Sequence, residues 1–207
     1  MTSESIIVQR PQGAGSQLVL IMHGVGSNPQ SMLGIARWFA ERDSAAMVVS
    51  VASPEPSDIS GGFQWFSVRG VTEDNRQARV DTAMSAFEVT ARHWQEVCGT
   101  DPQHTLIAGF SQGAIMALES TKLAHPPASK IVAFAGRFAS PPAQRSDVVI
   151  HLLHGVSDPV MPVSLAQAAQ EKLLQLGTDV TLDLAQGVGH EPHPMLLERL
   201  SARLSMV

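Results

Sequence analysis

Residues 105–118, TLIAGFSQGAIMAL, constrain this chain more than any other stretch. Thr105, Leu106, Ile107 and Ala108 read as a short buried strand, and Ala114 to Leu118 read as the start of a helix. Between them lies Gly109-Phe110-Ser111-Gln112-Gly113, a G-x-S-x-G turn in the strand-to-helix context that gives the pattern chemical meaning. A serine forced into a sharp backbone turn calls for flanking residues without side chains, so that its Oγ projects freely. The small residues beyond allow the helix to pack closely on the sheet. Its first amides and the positive end of its dipole then lie beside the serine, where a negative oxygen would develop. The bare pattern is common, and a glycine-rich turn with a solvated serine is the competing reading. The strand before and the helix after favour Ser111 as a nucleophile.

The rest of the chain repeats that alternation. Residues 6–9 read as an edge strand followed by a Pro/Gly turn (Pro11, Gly13, Gly15), and residues 18–22 as a strand buried on both faces. A glycine loop, residues 23–28, leads to a helix expected over 29–42, with Asn28 as N-cap and Pro29 at its first position. Residues 47–51 form the next strand, 54–62 read as irregular, and 63–68 return the aromatics. The longest helix is expected from 72 or 73 to 97: Val80, Met84, Phe87, Ala91, Trp94 and Cys98 alternate spacings of 4 and 3, one apolar stripe, and Gly99 closes it. His93 reads as surface or packing. Strands follow at 130–135 and 148–153, a helix at 163–176 ended by Gly177, a strand at 179–185 and a helix at 194–204. No repeat or linker interrupts the chain, so residues 1–207 read as a single α/β domain: a mostly parallel sheet with helices on both faces. Sites in such sheets lie at the carboxyl ends of the strands.

Two further segments end there. Residues 148–153 run into HGVSDPV, which carries Asp158, and the last strand runs into QGVGHE, which carries His190. The order Ser111, Asp158, His190 is that of hydrolases with this elbow. Neutral His190 would take the Ser111 proton and return it to a leaving group, while Asp158 holds the imidazole tautomer and offsets its charge. Asp147 precedes a strand and lies at the wrong end; Asp179 and Asp183 belong to the last strand or its start, with Asp183 expected to face solvent. His154 is placed to orient the acid's loop, and His151 reads as a hydrogen-bonded core residue. His193 rivals His190, but Pro192 and Pro194 bracket it into a helix start, whereas Gly189 gives His190 a flexible approach. No metal is expected, since His190 and His193 lack both HExxH spacing and a third ligand. The oxyanion donors expected are the amides of Gln112 and, from HGVG, Val25, with His23 structural. That glycine loop lacks the Lys-Ser/Thr ending of a phosphate-binding P-loop.

Composition narrows the partners. A net charge of −5 with scattered basic residues gives no footprint for nucleic acid. No apolar run approaches the roughly 20 residues of a membrane span, and MTSESIIVQRPQG lacks the features of a signal peptide. The single cysteine, Cys98, reads as a small apolar residue at a helix end and fits a reducing cytoplasm. The expected ligand is a small-molecule ester, without cofactor, metal or stable membrane insertion; a homodimer is the assembly left open.

With LIMHGVGSN, QWFSV, GFSQGAIMAL, HGVSDPVMP and GHE in order, essentially the whole chain resembles the carboxylesterase–phospholipase family of serine α/β-hydrolases, which includes acyl-protein thioesterases and small bacterial carboxylesterases. The resemblance implies an α/β-hydrolase fold without a large lid, the triad Ser111, Asp158 and His190, and oxyanion amides on Val25 and Gln112. It also implies that Trp65 and Phe66 lie near the cleft. Thioesterase members usually carry HGLGD where this chain has Ser27, and Ser-Gly-aromatic where it has Ala135-Gly136-Arg137-Phe138, which favours the bacterial esterase branch. Trp65, Phe66, Phe138, Val160 and Met161 are expected to line an apolar acyl slot, although each also reads as ordinary core. Arg69 and Arg137 are candidates for contacting an anionic group or for solvated surface. The expected reaction is hydrolysis of short- to medium-chain carboxylic esters through an acyl-serine intermediate. The alternatives are a thioesterase or lysophospholipase for longer chains, or a non-catalytic binding module on the same fold.

Overall fold

The computed structural model describes residues 4–11 and 17–204; Gly13 and Gly15 of the expected first turn lie outside them. The strands are β1 (Ile6–Gln9), β2 (Gln17–Met22), β3 (Ala46–Val51), β4 (Glu55–Pro56), β5 (Phe63–Gln64), β6 (Thr105–Phe110), β7 (Lys130–Phe134), β8 (Val149–Gly155) and β9 (Val180–Ala185). The helices are α1 (Leu33–Ala40), α2 (Glu73–Cys98), α3 (Gln112–Ser120), α4 (Val163–Gln175) and α5 (Pro194–Leu204). Among the described residues seven strands form the main sheet, in the order β1-β3-β2-β6-β7-β8-β9. Only β1 runs antiparallel, on the edge beside β3.

The continuous apolar runs are strands buried on both faces. Leu18, Leu20 and Met22 of β2 lie on the sheet face that α2, α3 and α4 cover, whereas Val19 and Ile21 lie on the face that α1 and α5 cover. The side chains of β3, β6 and β7 divide in the same way. Helix α2 follows the expected stripe: Val80, Met84, Phe87, Ala91 and Trp94 are buried, and Cys98 is half-buried at its end. Thr72 and Asn75 form a reciprocal capping box at its start, and Gly99 ends it at φ 76°, in the left-handed region.

Three sequence expectations change. The helix expected over 29–42 begins as a 3₁₀ turn, Pro29–Met32, and becomes α-helical only at Leu33. The Ser31 amide and hydroxyl both donate back to Asn28, an i→i+3 pattern that tightens the turn. Residues 54–62, read as irregular, contain β4, which pairs antiparallel with β5 in a two-residue ribbon. Asp183 does not face solvent: it is buried on β9 and takes both donors of Arg203 from α5, at 3.0 and 3.1 Å. No inserted lid element stands among the described residues, and none of their helices is long and apolar enough to cross a membrane.

Candidate active site

Strand β6 stops at Phe110, α3 starts at Gln112, and Ser111 makes the corner at φ 52°, ψ −115°. That conformation is strained for a side-chain-bearing residue. The Ser111 amide donates to the Phe134 carbonyl of β7 (3.0 Å), which anchors the corner to the adjacent strand. The flanking glycines serve close packing. A Cβ on Gly109 would come within 2.5 Å of the Gly113–Ala114 backbone, and one on Gly113 within 2.5 Å of the Met22 carbonyl. They let α3 fold tightly back on β6 and β2; the freedom of the Ser111 hydroxyl follows from that packing.

Asp158 leaves the end of β8 in a loop that curls back on itself. Its Oδ1 accepts the Val160 and Met161 amides (both 2.8 Å), and its Oδ2 accepts from His190 Nδ1 (2.7 Å). Burial pushes the Asp158 carboxyl up, but these amides and the imidazole outweigh it and hold the group below the usual carboxylate range. His154 lies beneath, its Nε2 donating to the Met161 carbonyl at 2.7 Å and standing 3.4 Å from Asp158 Oδ2. This is the loop-orienting place expected of it.

The loop carrying His190 is drawn against the acid's loop. The Val156 amide donates to Ala185 and the Ser157 amide to Val188 (both 2.9 Å). Gly155 makes that approach possible, because a Cβ there would sit 2.3 Å from the Val188 carbonyl. Nothing in the sequence reading pointed to Gly155, although it precedes the acid loop directly. His190 Nε2 then lies 2.9 Å from Ser111 Oγ. A carboxylate can only accept, so Nδ1 carries the proton, and Nε2 is left to accept from the serine hydroxyl. The Phe110 ring packs on the imidazole, centroids 5.0 Å apart. His193 takes no part in this relay of hydrogen bonds; its Nδ1 accepts the Met195 amide at the start of α5.

The glycine loop after β2 closes the other side. The Gly24 carbonyl accepts from His23 Nδ1 (2.7 Å) and from the Ser27 amide (3.3 Å). Across a trans peptide the N–H points opposite to the C=O, so the Val25 amide is turned away from His23. Gly24 itself lies against Ser111. The Gln112 amide, in the first turn of α3, has no acceptor within its helix. His23 is fully buried, with Nε2 accepting the Ser53 amide (3.2 Å). Burial holds its pKa down against the opposing pull of the Gly24 carbonyl.

The apolar residues expected around the cleft divide sharply. Trp65, Phe66, Phe138 and Met161 are 1%, 5%, 6% and 8% exposed and belong to the core, whereas Val160 is 64% exposed at the rim. Both arginines are engaged within the chain. Arg137 grips Glu73 with two bonds (3.0 and 2.7 Å), and the Arg69 guanidinium donates to the Asp58 carbonyl. Paired with Arg137 and Arg76, Glu73 has its pKa lowered to about 2. The thiol of Cys98 is pushed up by burial, as suits an inert packing residue. A cavity of about 980 Å³ opens at the opposite edge of the sheet, before β6, β7 and β8, lined by Gln103, Lys122, His125 and Arg145 among others; it includes none of Ser111, Asp158 and His190. No group of three or more His, Cys, Asp or Glu side chains among the described residues could hold a metal ion.

A parallel sheet covered on both faces, with a serine elbow hydrogen-bonded to a histidine and through it to an aspartate, defines a serine hydrolase of the α/β-hydrolase class. Comparison with known proteins agrees. The phospholipase/carboxylesterase family model matches residues 3–207. Esterase YpfH of Escherichia coli (strain K12) is 50% identical over 191 residues, 92% of this chain and 82% of that protein. Acyl-protein thioesterase 1 of Saccharomyces cerevisiae is 27% identical over 211 residues, 90% of each. Among solved structures, esterase PE8 superposes with a TM-score of 0.85 at 27% identity, with both chains fully covered. The chain belongs to the phospholipase/carboxylesterase family.

Proposed function

We propose that this hydrolase cleaves short- to medium-chain carboxylic esters through an acyl-Ser111 intermediate, acting as a single domain in the cytoplasm. One observation carries the reading: His190 bridges Ser111 Oγ at 2.9 Å and Asp158 Oδ2 at 2.7 Å. Ser111 Oγ attacks the ester carbonyl as Nε2 of His190 takes its proton, and Asp158 offsets the charge gained by the imidazole. The carbonyl electrons move to an oxyanion that the Val25 and Gln112 amides receive, each such donor contributing about 2.7–4 kcal/mol in enzymes where one has been removed. Collapse expels the alcohol, which leaves with the proton from His190. A water deprotonated by the same nitrogen then releases the acid and restores Ser111.

The relative named an esterase, at 50% identity, supports an ester over a thioester; the thioesterases match at 27% or below. Acyl length is read from the apolar surface. With Trp65, Phe66, Phe138 and Met161 each at most 8% exposed, Val160 is left to supply most of the apolar contact from this group. So small a surface suits a short chain better than a long one. The cytoplasmic reading rests on the lone Cys98.

Ser111→Ala should abolish turnover of p-nitrophenyl butyrate, and retained turnover would reject the assignment. Rates across p-nitrophenyl esters of increasing acyl length, set beside an S-acyl thioester, separate the esterase from the long-chain thioesterase. The esterase reading requires a maximum at short or medium chains.

A further inference from the structure

Gln112 does more than its backbone amide requires. The residue is 2% exposed and both its side-chain polar atoms are bonded: Oε1 accepts the Trp65 amide at 2.8 Å, and Nε2 donates to the Phe66 carbonyl at 2.7 Å. The carboxamide thus clamps the backbone of residues 65–66 by one amide and one carbonyl. That segment is hydrogen-bonded in turn to the loop that carries Val25. The Gly26 amide donates to the Phe63 carbonyl and the Phe63 amide to the Ser27 carbonyl, both at 2.8 Å, and Trp65 Nε1 donates to the His23 carbonyl at 3.3 Å. Residues 63–66 therefore hold the Val25 loop on both sides of Val25, and Gln112 holds residues 63–66.

We propose that the Gln112 side chain is a positioning group for the opposite oxyanion donor: it fixes the Val25 amide through residues 63–66, so that one residue supplies one donor directly and sets the other at a distance. This rests on the reading of Ser111 as the nucleophile. The physical argument is one of tolerance. An oxyanion hole works only when its donors already stand 2.7–3.1 Å from where the negative oxygen will form. The Val25 loop is a glycine-rich connection whose Gly26 sits at φ 72°, and with no helix or strand of its own it depends on neighbours to hold its peptides. The buried carboxamide provides that hold from the same helix start that carries the first donor, which keeps the two amides in register.

The test uses the full chain and four variants. Gln112→Leu keeps roughly the volume and removes both bonds, Gln112→Glu keeps the acceptor for the Trp65 amide but loses the donor to Phe66, and Trp65→Phe removes the indole donor to the His23 carbonyl together with part of a buried ring. Ser111→Ala is the control. Two readouts are taken: kcat and KM on p-nitrophenyl butyrate, and inhibition by an alkyl trifluoromethyl ketone, whose adduct with Ser111 places an oxyanion in the hole. Gln112→Leu is expected to lose about tenfold or more in kcat with KM unchanged within about threefold, and to bind the ketone more weakly by a similar factor. A purely structural role would not single out the tetrahedral adduct. A smaller loss, a loss that falls on KM, or an unaltered ketone affinity overturns the inference. Should Gln112→Leu fail to fold by circular dichroism, Gln112→Glu and Trp65→Phe decide by the same criteria with a threshold of about threefold in kcat. If Ser111→Ala itself turns over, the nucleophile assignment fails; if it is dead and the Gln112 variants are indifferent, only the positioning role fails.

Discussion

Ser111 holds φ 52° and ψ −115° without being glycine, a conformation that costs on the order of 1–3 kcal/mol and persists only where its surroundings enforce it. The Phe134 carbonyl on its amide and the tight return of α3 supply that enforcement. Asp158 and His190 were legible in the sequence because each ends a strand at the same rim as Ser111. The residues that fix them were not. His154 apart, they act where no local pattern records them: Gly155 by close backbone approach, and the Gln112 side chain by contacts 46 and 47 positions away. The acid offers a clean test. Asp158→Asn presents an amide N–H to His190 Nδ1, which must then accept, so Nε2 carries the proton and cannot take one from Ser111. In the proposed triad kcat should fall by about 10⁴, the loss this change causes in a serine protease. A kcat within tenfold of the parent would show that Asp158 does not set the tautomer.

At the scale of elements, the sheet was readable because its central strands are apolar on both faces, and α2 because its stripe repeats over about five turns of sequence at spacings of 4 and 3. The ribbon of β4 and β5 was not, since two-residue strands are too short to show a period. The burial of Asp183 was hidden for a different reason: alternation along β9 places it on a face, but its partner Arg203 comes from α5. Helix α2 is fastened to the sheet chiefly by its aromatic and methionine side chains. Phe87 is fully buried and packs edge-on to Trp65 at 5.2 Å, so Phe87→Ala opens a cavity directly behind the segment that Gln112 holds. It should destabilise the fold by about 3–5 kcal/mol. Urea denaturation should show this as a lowered midpoint with little change in slope.

For the whole molecule, acid is the weak direction. Burial lowers the pKa of both His23 and His151, the latter held in β8 by a 2.8 Å bond to Thr181. Above the unfolded value of about 6.5 neither state binds the proton, and the two groups cost nothing. Below it the unfolded chain takes up protons that the folded one refuses, so stability falls as pH falls. Asp158, also lowered, adds a second loss on further acidification, below the unfolded carboxylate value of about 3.9. The exposed Glu73 pair, screened by water, contributes little to either. The urea midpoint should be level between pH 7 and 8 and drop steadily from about pH 6.5 towards pH 5; a level midpoint over that lower range would mean that the two buried imidazoles protonate freely in the folded protein.

The stitching of the Asp158 loop to the His190 loop has its own consequence. Backbone bonds at Val156 and Ser157 join the Asp158 loop to the His190 loop, while the Ser111 amide is tied to β7. At the site itself the joined loops and Ser111 meet at the 2.9 Å bond between imidazole and hydroxyl, with the Phe110 ring packed beside it. With the His190 and Asp158 loops bonded together, the separation left to vary with any shift of the rim is the one between imidazole and hydroxyl.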